Sequence, residues 1–140
     1  MGKKFWISFV VVFVVYAILA FVVHALVLSS WYMQQTDIRF AAEETRGMYW
    51  HFIAELVFAF LFTMIYSKGF EANKGGAGQG FRYGMLMGLI IYLPMQLTYL
   101  AVMKVPGKFL AIQGILELGI VVICGVVLGA LYKPEPKPGM

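Results

Sequence analysis

Four apolar runs, roughly 5–30, 48–67, 82–103 and 109–132, take up most of the 140 residues, and the polar residues collect in the stretches between them. Each run reaches about the 20 residues that a helix needs to cross a bilayer. None shows the alternation of a barrel strand, and each is about twice a strand's length. The pattern therefore predicts an all-α polytopic membrane protein: one domain, a four-helix transmembrane bundle with consecutive spans side by side. The first run follows MGKKFW and is longer than the ~7–15 apolar residues of a signal core. No small-x-small cleavage site follows it, so it reads as an uncleaved span. Trp6 stands where a myristoylation pattern has Ser or Thr.

Charge sets the expected orientation. With the N-terminus inside, the inner segments hold seven cations: Lys3, Lys4, Lys68, Lys74, Arg82, Lys133 and Lys137. The outer segments hold four, Arg39, Arg46, Lys104 and Lys108. An inner excess of Lys and Arg places both termini in the cytoplasm. Trp6, Tyr66, Tyr83 and Tyr132 at one edge and Trp31, Tyr32, Tyr49 and Trp50 at the other suit the headgroup level. The net charge of +4 is met by anionic lipid headgroups and calls for no nucleic acid. Composition agrees with this solvent, since 61% of residues are hydrophobic and only 13% charged, against about 25% in soluble domains. Four spans leave no room for a soluble catalytic domain. The single cysteine, Cys124, excludes an intrachain disulfide.

The connections carry little chemistry. In WYMQQTDIRFAAEETRG, Thr36 or Asp37 could cap a short surface helix over residues 38–45, although a solvated connector is the preferred reading of the stretch. KGFEANKGGAGQG is a flexible glycine loop, and it lacks the Gly-Lys-Ser/Thr ending of a phosphate-binding loop. YKPEPKPGM is a Pro-rich extended tail.

Small residues mark where helices meet. Gly80, Gly84 and Gly88 recur every four residues at the start of the third span, and Gly125 and Gly129 repeat the spacing in the fourth, with Gly114 near the same face. Such small-xxx-small stripes let backbones approach, within one chain or between chains. Ala17 and Ala20 lead toward His24 in the first span. Pro94 removes a backbone donor inside the third span and is expected to kink it.

Polar residues inside the spans share one half of the membrane. Counting about 1.5 Å per residue from each span's midpoint, Glu55, Gln96 and Glu117 fall roughly 4–5 Å to the outer side. His24, His51 and Gln113 fall about 10 Å out, with Thr98 and Tyr99 just below them. His51 and Glu55 are one turn apart, as are Gln113 and Glu117, and Tyr92, Gln96 and Tyr99 form a third stripe. Independent placement would scatter these residues. They predict a buried polar cluster in the outer half, with Glu55 and Glu117 converging near Gln96. The cluster has three readings: a hydrogen-bonded network that fixes helix register, a proton- or ion-linked transport or ligand site, and a metal or haem site. For the last, His24, His51, Glu55 and Glu117 are the ligands for a divalent metal, or His24 and His51 the axial pair of a haem. The paired Glu-x-x-His motif of di-iron bundles is missing. No catalytic motif is complete, so the chain reads as a non-enzymatic membrane protein. An accessory subunit bound to other membrane chains, or to its own copies, is the expected role, with a small transporter as the alternative.

The glycine loop, the GQGFRYGMLMGL that opens span three and the GVVLGALYK that closes span four resemble small, uncharacterised four-span proteins of bacterial inner membranes. That resemblance implies a cytoplasmic-membrane location and brings no catalytic residues with it. A reporter enzyme fused to the C-terminus should read out on the cytoplasmic side; an external signal would reverse the assigned topology.

Overall fold

The computed structural model describes residues 2–34 and 46–132, and these form helices joined by short turns, with no strand among the described residues. The surface helix considered over residues 38–45 and the tail from residue 133 lie outside them. α1 is Lys3–Phe21, continued by a π-helical turn, Val22–Val27, and after a bend by the short α2, Ser29–Met33. α3 is Arg46–Lys68, α4 is Ala77–Val102 and α5 is Gly107–Leu131, with a 3-10 turn, Ala72–Lys74, before α4. Four stretches, Lys3–Val27, Tyr49–Lys68, Ala77–Val102 and Gly107–Leu131, are long and apolar enough to cross a membrane. Their outward faces are as apolar as their inward ones. Phe21, Leu26, Ile90 and Ile115 are each more than 60% exposed, a pattern that apolar surroundings stabilise and water opposes.

Side-chain size decides which helices lie close. α4 and α5 make the tightest pair, because their glycines face one another. A Cβ on Gly84 would come within 2.8 Å of the Val121 carbonyl, and one on Gly80 would run into the Gly125 carbonyl. Gly129 in turn lies against Gly80 and Gly76. Gly88 is crowded by Leu118, while Gly114 faces the Gln96 side chain rather than a backbone. α4 consequently starts at Ala77, inside the stretch that the sequence reads as a flexible loop: contact with α5 repays the low helix propensity of Gly78 and Gly80. Gly76, at φ 91°, sets the turn before it, a conformation that side chains oppose. α4 runs through Pro94 as one helix, and Thr98 Oγ1 donates to the Pro94 carbonyl at 2.9 Å.

α1 packs on both α3 and α5. Phe5 and Phe9 meet Phe60 edge-on, and Tyr16 lies over Phe58 with ring centroids 4.6 Å apart. α3 and α4 are consecutive, yet their backbones stay apart and rings fill the space between. Tyr83 packs against Phe62 and Tyr66, and its hydroxyl donates to the Phe62 carbonyl at 2.6 Å. Gln79 closes this end by donating to the Gly69 carbonyl and accepting from the Tyr66 hydroxyl. In the connection, Lys74 lies 2.8 Å from Glu71 and holds that exposed carboxyl below its ordinary range.

Gly125→Leu should force α4 and α5 apart and lower stability by about 1–3 kcal/mol or more. Gly119→Ala, where a Cβ would meet nothing within 4 Å, should change stability by less than about 1 kcal/mol. Thermal unfolding in micelles followed by circular dichroism gives the ranking, and equal melting of the two variants would contradict the packing described.

Candidate functional site

The site lies where α1 ends and α3 begins, called here the distal end. Its geometry starts with the π-helical turn that carries His24. Within it Leu28 N–H bonds to the Val23 carbonyl, five residues back, at 2.8 Å, and the chain then bends into α2. His24 and Tyr32 would stand about 12 Å apart along a straight helix. The bend instead stacks their rings at 5.9 Å and places His24 Nδ1 2.7 Å from the Tyr32 hydroxyl. Extra-residue turns of this kind are frequent at functional sites because they re-aim a side chain without ending the helix.

α5 supplies the other half. Glu117 Oε1 is 2.6 Å from His24 Nε2, and Gln113 Nε2, one turn away, is 3.3 Å from the Tyr32 hydroxyl. With the His24 proton on Nε2, all three bonds run in one sense. Gln113 donates to Tyr32, Tyr32 donates to His24 Nδ1, and His24 donates to Glu117. A second pair stands on α3, where His51 Nε2 is 2.9 Å from Glu55 Oε1. The two pairs adjoin through their imidazoles, whose centroids are 6.3 Å apart with the rings perpendicular.

Burial is graded. Glu55 and Glu117 are 4% and 6% exposed, while His51 is half exposed and forms the way in. The second oxygen of each carboxylate, Glu55 Oε2 and Glu117 Oε2, is buried without a partner. Toward the proximal end, Tyr16 and Tyr92 join hydroxyls at 3.1 Å close to Glu117. Past them Val12, Ala59, Phe62, Val121, Cys124 and Leu128 fill the core with almost no exposure.

Of the residues singled out from sequence, His24, His51, Glu55, Glu117 and Gln113 come together. Gln96 stands apart: it lies against Gly114 in the α4–α5 interface, with both amide atoms buried and unpartnered. The two carboxyls are therefore bridged by histidines instead of meeting at Gln96. Tyr99 is half-buried against the apolar core. Tyr32 escaped the sequence reading because a tyrosine at a span's edge looks like a headgroup anchor, and no periodicity marks a π-turn. Tyr92 was placed in a stripe with Gln96 and Tyr99, and no spacing along one helix could show its pairing with Tyr16 on another.

Among the described residues no group of three or more His, Cys, Asp and Glu side chains is arranged to hold a metal ion. Both histidine Nε2 atoms face carboxylates, so ligation of a haem by His24 and His51 would first break both pairs. What the arrangement can do as it stands is hold and pass protons. No family model matches the chain, and neither does any curated protein or solved structure.

A double-mutant cycle across His24 and Glu117 should give a coupling of about 1–3 kcal/mol, since the partners are buried and share one network. The same cycle across His51 and Glu55 should give less than about 1 kcal/mol, because His51 is half exposed. Unfolding titrations of the four single and two double variants supply the comparison, and a stronger His51–Glu55 coupling would reverse the assignment of the central pair.

Proposed function

We propose that this is a four-span protein of the cytoplasmic membrane, both termini in the cytoplasm, whose outer half binds protons and exchanges them with the outer aqueous side. The observation that carries this reading is the pairing of each buried carboxylate with a histidine, the two pairs touching through their rings. With His24 neutral, its pair with Glu117 reaches zero net charge when the carboxyl takes a proton, so it can sit in apolar surroundings while remaining able to ionise. A network that served helix register alone would satisfy all its atoms, since a buried polar atom without a partner costs about 1–3 kcal/mol. Here Glu55 Oε2 has no partner and Glu117 Oε2 has none nearer than the Tyr92 hydroxyl beside it, and each is a seat for a proton. Half-exposed His51 gives access from the distal end, and the packed layer below Tyr16 and Tyr92 separates the site from the proximal end. Exchange from one side fits that gradient better than conduction through the bundle.

The glycine stripes lend nothing to a partner-binding role, because Gly80, Gly84, Gly125 and Gly129 are taken up by the contact of α4 with α5. Non-enzymatic action as a proton-responsive subunit or small proton-linked carrier is the activity that follows.

Infrared difference spectra of the protein in lipid, recorded across a pH step between about 5 and 8, should show a protonated-carboxyl band that changes with pH. Glu117→Gln should remove most of that band and Glu55→Gln the remainder, with folding intact. Identical spectra before and after the step, or a band untouched by both variants, would overturn the reading.

A further inference from the structure

A cavity of about 260 Å³ lies between α4 and α5, apart from the paired histidines and carboxylates. Its mouth is framed by Leu89, Leu93 and Ile115, which are 42%, 53% and 69% exposed on the outward surface. Its inner wall is Tyr92, and Gln96 lies along it beside Gly114. Apart from that amide the lining is almost wholly apolar.

Gln96 is the anomaly. Both its Oε1 and Nε2 are buried and neither has a partner. Glutamine offers two donors and an acceptor, and in a hydrocarbon environment water is not at hand to satisfy them. Its terminal torsion is soft, so the amide can turn toward the cavity without displacing a helix. An apolar cavity with one unsatisfied amide is built for an apolar molecule that carries one polar group.

We propose that this cavity binds an uncharged lipid-phase molecule whose carbonyl or hydroxyl pairs with the Gln96 amide and whose body, a ring or a single chain, fills the remaining space. Volume argues against a helix as occupant. A helix with its side chains is about 10 Å across, whereas this recess holds about nine carbon-sized groups if each takes roughly the 30 Å³ of a liquid water. Depth argues against a phospholipid. Gln96 is six residues short of the end of α4 at Val102, about 9 Å along the axis, which puts the amide below the level of ester carbonyls. Only acyl chain reaches there from a phospholipid, and acyl chain cannot pair with an amide. A quinone-like ring ketone or a long-chain alcohol carries its polar group to that depth. The site borders the histidine–carboxylate pairs through Tyr92, whose hydroxyl meets Tyr16, and shares no lining residue with them.

The test uses the full chain in nanodiscs with 15N-labelled glutamine side chains. It is titrated separately with decylbenzoquinone, 1-decanol and decane, and the Gln96 signal is identified by its loss in Gln96→Leu. Saturable movement of that signal with decylbenzoquinone or decanol, and none with decane, is the expected result, and the stronger of the two polar probes tells ring from chain. Gln96→Leu should weaken binding of that probe, measured by its own spectrum, on the order of tenfold. Ala111→Phe fills the cavity from its wall while retaining Gln96 and should abolish binding. Equal response to decane, full affinity in either variant, or no saturable binding of either polar probe would overturn the proposal.

Discussion

A carboxylate set among apolar helices has no water to turn to, and everything at the distal end follows from that constraint. Glu117 meets His24 across the α1–α5 contact, which ties the first helix to the last. To make that bond the imidazole must point inward from a helix whose regular turns give no assurance of it. The π-helical turn and the bend after it solve both problems, aiming His24 at Glu117 and folding Tyr32 back to occupy its other nitrogen. Glu55 finds its partner locally, one turn away on α3, and so makes no demand on the fold.

The rest of the bundle divides by side-chain size. Glycine against glycine draws α4 and α5 together until backbone touches backbone, whereas tyrosine and phenylalanine hold α3 and α4 apart. Close backbone contact gains dispersion over many atoms and loses little side-chain entropy, which suits helices that have no hydrophobic effect to drive them together in lipid. The aromatic junction gains through ring contacts and through hydroxyls that find backbone carbonyls. One bundle thus combines a glycine junction with an aromatic one.

Tyr92 stands between the two chemical features of the molecule. One side of it meets Tyr16 and the region of Glu117, and the other lines the cavity beside Gln96. An occupant of that cavity would meet the same side chain whose hydroxyl reaches Tyr16, so the two sites are neighbours through a single residue.

Four apolar stretches and their lengths were legible in the sequence, because a span must be long and greasy whatever it packs against. So were the pairing of His51 with Glu55, fixed by helical spacing, and the place of His24, Glu117 and Gln113 in one half of the bundle, fixed by counting along the axis. Counting gives height but not azimuth. It therefore placed Gln96 with the glutamates, whereas the rotation of α4 imposed by its glycine contact turns that amide into the α4–α5 interface. It also gave α4 too late a start, since glycines that disfavour an isolated helix are held helical by the backbone opposite. The partnership of His24 with Tyr32 and the bridging of two glutamates by two histidines belong to the tertiary structure alone. They depend on a π-turn that no residue pattern encodes and on how four helices are rotated about their own axes, which only their mutual packing decides.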